Sequence, residues 1–143
     1  MTPDRADPFR LQRFADAQER IYERVCAELR EGQKRSHWIW FIFPQIRGLG
    51  SSPTAVEYAI SGREEAVAYL AHPILGPRLE ECTRLVINVK GRGIERILPY
   101  PDDLKFRSSM TLFAQVAPGN RLFSDALAKY FDGQPDPLTL ERL

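Results

Sequence analysis

The chain has 143 residues, 43% hydrophobic and 27% charged, which is enough to bury a core in one domain without disulfide or metal staples. Twenty basic against nineteen acidic residues leave a formal net charge of +1, excluding the strong global field that draws proteins to nucleic acid or anionic lipid. No apolar stretch approaches membrane-spanning length and the opening MTPDRADPFR holds no apolar signal core, so a cytoplasmic protein without membrane attachment is expected.

Asp7-Pro8 reads as a helix opening and Gly32 as its stop, predicting one long helix between them. Leu11, Phe14, Ile21, Tyr22, Val25 and Leu29 keep the spacing of three or four that marks a buried face. Gln18 falls inside that stripe, where a buried amide must find partners, either neighbouring backbone or a ligand. Cys26 and Cys82 also lie in apolar helical stripes, far apart in sequence, and are expected as buried free thiols.

After the polar Lys34-Arg35-Ser36 comes His37 to Phe43, a seven-residue run holding both tryptophans and closed by Pro44. Its large consecutive side chains require burial. Composition favours a strand, yet no other segment offers a convincing partner strand, so the run is expected as a short buried helix or extended core segment. Ser36 is placed to cap it. Gly48-Leu49-Gly50 follows, and Ser52-Pro53 opens a short helix through Ile60 that Gly62 ends.

Ser61 with Glu64 forms a capping-box pattern ahead of a helix that His72-Pro73 interrupts. The next helix, from about Pro73 to Val89, carries Leu75, Leu79, Cys82, Val86 and Val89 at helical spacing. Ile94 to Leu98 forms a short helical piece, and Pro99-Tyr100-Pro101 is a rigid break. Asp102-Asp103 opens a helix to about Val116, stopped by Pro118-Gly119. A helix from Leu122 to Phe131 ends at Gly133, and Asp136-Pro137 starts a last turn. The fold class is therefore mainly α, a compact single domain over residues 1–143 with about six to eight helices around a buried aromatic segment.

Chemistry is suggested where polar residues interrupt an apolar face. On the helix after Pro101, Lys105 and Ser109 fall one turn apart inside the arc of Phe106, Met110, Leu112, Phe113 and Val116. Pointed together into a cavity, they would hold a phosphate or carboxylate; alternatively Lys105 reaches water and Ser109 bonds a carbonyl one turn back. Asp102 and Asp103 read as helix-opening residues, and Arg107, Ser108 and Thr111 as a solvated face. Gly50 and Ser52, just before a helix N-terminus, suit an anion, with Arg47 adding charge. Trp40 offers a stacking surface for a base or sugar, and His37 stands beside it. His37, His72 and the cysteines lack metal-ligand spacing, so no metal and no cofactor are indicated.

The strings DPFRLQRFADAQ, SHWIWFIFPQIRGLG, EYAI, AYLAHPILGPRL and PDDLKFRSSMTLF resemble those of the bacterial domain-of-unknown-function family 1810, sometimes labelled calpastatin-like. The resemblance implies a compact, mainly helical single domain and little about chemistry. The label implies an inhibitor that folds on binding, whose composition would be polar and disordered, unlike this one. In addition, Ser-Pro-Thr-Ala-Val-Glu-Tyr at a helix start, followed by an acidic-alanine helix, is similar to a helical superfamily linked to NAD and ADP-ribose metabolism. That similarity implies pocket positions for Thr54 and Glu57. The expected ligand is then a small phosphorylated, nucleotide-like molecule and the expected reaction N-glycosidic hydrolysis. Arg47, Ser52 and Lys105 would hold the anion, Trp40 would flank the base or sugar, and Glu57 would act with Lys105 at the reacting bond. A non-enzymatic module binding a small ligand or a protein through the same residues is the alternative.

Overall fold

Ten helices run through residues 6–143, the part of the chain that the computed structural model describes. The opening residues Met1–Arg5, part of the segment read above for targeting signals, lie outside it. Asp7 caps the first turn, its carboxylate accepting the Leu11 and Gln12 N–H groups at 2.7 and 2.9 Å. The single long helix expected up to Gly32 is in fact two, α1 (Gln12–Glu19) and α2 (Tyr22–Glu31). They part at Arg20-Ile21, where the Ile21 N–H turns back to the Gln18 carbonyl only three residues away. Neither glycine nor proline stands there, so no sequence signal marks the break. Gly32 closes α2 in the left-handed region at φ 76°, as its lack of a Cβ allows.

The aromatic run is helical: α3 (Ile39–Ile42) is a single turn. Ser36 does not cap it. Its hydroxyl instead donates to Glu28 Oε2 at 2.6 Å, while the Arg35 and Ser36 N–H groups and the Trp38 indole donate to Oε1 at 2.8, 3.1 and 3.0 Å. Trp38, Ile39, Ile42 and Phe43 are buried, and Trp40 and Phe41 are half-buried. Phe43 meets Phe106 edge-on with ring centroids 4.8 Å apart, and a second series of rings runs from Phe14 through Tyr69 and Phe113 to Phe123. Aromatic pairs of this kind add to the energy of the area they bury.

Beyond Pro44, Ile46 and Ile60 form an isolated parallel bridge, closed by hydrogen bonds of 2.8 Å on either side. This bridge ties off the glycine loop, and α4 (Pro53–Glu57) within it is shorter than expected, ending before Tyr58. At α5 (Arg63–Ala71) the capping box is shifted by one residue. Glu65, not Glu64, accepts the Ser61 N–H and hydroxyl, each at 2.8 Å. His72 then caps α6 (Leu75–Ile87), its Nδ1 accepting the Ile74 and Leu75 N–H groups at 3.1 and 3.2 Å.

After α7 (Ile94–Ile97) and a cis Tyr100–Pro101 peptide, α8 (Asp102–Val116) spans the bounds its flanking residues predict. Phe106, Met110, Leu112 and Phe113 place it at the centre of the core, packed on α9 (Arg121–Phe131) and on α10 (Pro137–Glu141). The count exceeds six to eight because the first helix is split and several single turns are helical. Ser108 and Thr111 are buried rather than solvated, because the segment after Gly133 folds over them.

Candidate functional site

The loop from Gln45 to Gly50 and the outer edge of α8 face each other across a groove of about 420 Å³. Gln45, Leu49 and Gly50 form one wall, Leu104, Lys105 and Arg107 the other, and Asp136 with Leu138 closes the end. Leu104 and Leu138 are exposed at 47% and 57%, so the groove combines an apolar rim with two cations. Such a mixture suits an organic molecule carrying an acidic group.

Lys105 has two neighbours that set its position. Its Nζ lies 5.4 Å from the Trp40 ring centroid and 3.9 Å from Asp102 Oδ1. Asp102 is held more closely by Lys34, at 2.8 Å through its other oxygen. The carboxylate is thus already matched by one cation, which leaves the looser Lys105 charge available to a ligand. Arg107 donates through Nε and Nη2 to the Gln134 and Pro135 carbonyls at 3.0 and 3.1 Å, fixing its plane against the C-terminal segment. Among the described residues its Nη1 has no hydrogen-bond partner.

Gly50 has a packing reason to be glycine, since a Cβ there would stand 2.8 Å from that of Ala55. Gly48 needs its left-handed φ of 98°, and the Arg142 guanidinium packs on its face. The shape of this groove wall therefore depends on both glycines. A smaller recess of about 40 Å³ on the other side of Gln45 and Gly50 is lined by Trp40 and Arg47. Trp40 thus joins the two depressions by lying under Lys105.

The remaining candidate residues separate from this site. Glu57 and Arg47 line a third depression of about 540 Å³ with Arg10, Arg13 and Glu65. There Arg13 is consumed by the protein itself, donating to the Glu57 and Ala59 carbonyls at 2.8 and 3.0 Å and to Glu65 Oε2 at 3.0 Å. Glu57 is exposed and paired with Arg10 at 3.4 Å, so it does not share a cavity with Lys105. Ser52 caps α4 through the Ala55 N–H at 3.1 Å, while Thr54 is half-buried on the same turn. His37 is exposed beside the buried Trp38.

Gln18 is buried and fully engaged. Its amide donates to the Phe41 carbonyl at 2.7 Å and the Tyr69 hydroxyl at 3.2 Å, and its oxygen accepts from Arg78 at 3.3 Å. It ties α1, α3, α5 and α6 together. Ser109 is wholly buried and its Oγ has no hydrogen-bond partner among the described residues, so it does not point with Lys105 into the groove. Sequence reasoning missed Gln45, Asp136 and Leu138 as groove residues. No periodicity signals them, because they meet α8 only through the tertiary path of the loop and the C-terminal segment.

The sequence family described as a protein of unknown function, DUF1810, matches residues 8–143. The chain belongs to this family. The chain is similar to the crystal structure of the conserved hypothetical protein Rv1873 from Mycobacterium tuberculosis, with 58% sequence identity and a TM-score of 0.95, covering 96% of this chain and 98% of that one. No curated protein matches the chain. Within this DUF1810 chain no described helix is long and apolar enough to cross a membrane.

Proposed function

We propose that the groove between the Gln45–Gly50 loop and α8 binds a small phosphorylated, nucleotide-like molecule. The supporting observation is the meeting of Gly50 and Lys105, two residues singled out separately in the sequence, on opposite walls of one groove of about 420 Å³. Lys105 and Arg107 take the anion, and Leu49, Leu104 and Leu138 cover the apolar part of the ligand. Trp40 positions Lys105 from below by a cation–π contact. Binding is the primary reading because Glu57 stands in a different depression. N-glycosidic hydrolysis is the enzymatic form of the same reading, and in it Asp136, the carboxylate within the groove, takes the place expected of Glu57 as acid or base.

The test is thermal unfolding with millimolar ADP-ribose, NAD and nucleoside phosphates, accompanied by chromatography for released base. A ligand at about tenfold excess over its Kd stabilises the folded state by about 1.4 kcal/mol, a shift of a few degrees. Lys105→Ala keeps the unliganded midpoint and loses most of that shift. Base release by the wild type alone supports the hydrolase, and a shift without release supports the binding module. The proposal is wrong if none of these compounds moves the midpoint, or if Lys105→Ala responds as the wild type does.

A further inference from the structure

Away from the groove, α2 and α6 pack together, and Cys26 of α2 and Cys82 of α6 both reach the same Tyr22–Glu81 pair. Both are free thiols, exposed at 4% and 0%. Around them lies a polar cluster. Cys26 Sγ is 3.8 Å from Glu81 Oε1, Cys82 Sγ is 3.9 Å from the Tyr22 hydroxyl, and Tyr22 donates to the Glu81 carboxylate. Arg78 lies over the Tyr22 ring at 4.6 Å. Among the described residues no group of acidic, histidine and cysteine side chains is arranged to hold a metal. The cluster thus offers thiol chemistry rather than coordination.

We infer that Cys26 and Cys82 form a reversible two-electron redox site that a hydroperoxide converts to an intramolecular disulfide linking α2 to α6. Cys26 is the attacking sulfur. The neighbouring Cys82 thiol, helped by Tyr22 and the Arg30 charge and opposed by burial and the Glu81 carboxylate, lowers the Cys26 pKa to about 7. Cys82 is pushed in the opposite direction by the same contact and by burial, which keeps it protonated as the resolving partner. Cys26 also lies nearer the surface, beneath the exposed Glu81 and the half-buried Tyr22.

The Cys26 thiolate attacks the outer peroxide oxygen and the O–O bond breaks. The alkoxide or hydroxide released takes a proton, and a sulfenic acid is left on Cys26. The Cys82 sulfur then attacks the Cys26 sulfur, the S–OH bond breaks, and hydroxide leaves with the Cys82 proton as water. One hydroperoxide is reduced to its alcohol, or hydrogen peroxide to water, as two thiols become one disulfide.

The test treats the folded protein with hydrogen peroxide, blocks remaining thiols with iodoacetamide under denaturing conditions, and reads intact mass and non-reduced peptides. The expected product is monomeric, lighter by two hydrogens, alkylated at neither cysteine, and joined between the Cys26 and Cys82 peptides; dithiothreitol restores both thiols. Cys82→Ser, if it folds, stops at a Cys26 sulfenic acid that dimedone labels. Cys26→Ser leaves Cys82 alkylatable. The inference is overturned if the wild type keeps both thiols, forms only disulfide-linked dimers, or accumulates sulfinic acid without the crosslink.

Discussion

Glu28 shows how a residue without an obvious motif fixes a local structure. It is 6% exposed, and burial alone pushes its carboxyl up. Hydrogen bonds from Ser36, Arg35 and Trp38 outweigh that, so the net pKa lies below the usual 4.5. Those bonds set the turn between α2 and α3 and thereby the position of the aromatic run. A carboxyl with a lowered folded pKa contributes stability above 4.5 that is lost as pH falls from there through the folded value. Denaturant titrations in a pH series therefore show wild-type stability declining below about pH 4.5, with Glu28→Gln declining less steeply. At neutral pH the variant is less stable by about 2 kcal/mol, since its amide presents donors to donors and leaves buried groups unpaired. An equal acid dependence in both proteins contradicts this role. The sequence reading passed over Glu28, because a glutamate near a helix end ordinarily reads as solvated and its four donors come from a turn whose path is tertiary.

At the level of elements, α8 was legible where local chemistry decides it and illegible where another segment covers it. Asp102-Asp103 and Pro118-Gly119 bracket it correctly, since acidic residues suit a helix start and proline prevents continuation. The burial of Ser108 and Thr111 depends on the distant Asp136. That carboxylate accepts the Ser108 and Thr139 hydroxyls at 2.7 and 2.6 Å, and the Asp136 N–H donates to Thr111 Oγ1 at 2.9 Å. The same limit explains the Lys105 and Ser109 pair. Their one-turn spacing was visible, but the depth of α8 in the core, which buries Ser109 and leaves Lys105 at the groove, was not. Asp136→Ala is expected to cost about 1–3 kcal/mol by stranding buried hydroxyls. Hydrogen exchange locates the loss: amides of α10 exchange faster, about tenfold per 1.4 kcal/mol, while those of α6 change less. Uniform acceleration throughout the chain would show that Asp136 is not a local latch.

Across the whole molecule, one buried cluster runs from Leu11 in the turn before α1 to Leu127 on α9, crossing the aromatic run between them. The apolar periodicity of the sequence foretold most of its members, whereas the loops and half-buried polar groups that shape the groove follow from tertiary packing. We propose that the chain unfolds as a single domain, because each half leaves the other's aromatic face exposed: Phe43 of the first half meets Phe106 of the second, and Tyr69, which also holds Phe14, meets Phe113. Trp38 is wholly buried and Trp40 lies beneath Lys105, so tryptophan fluorescence reports the centre of the core and far-ultraviolet circular dichroism reports all the helices. The two signals are expected to trace one coincident urea transition, as cooperative unfolding requires. A fluorescence change at lower urea than the loss of helix would mean that the aromatic run detaches from helices that remain folded, and the single-domain reading would fail. Coincidence would also bind the groove to the core, since its Lys105 wall stands one residue from Phe106.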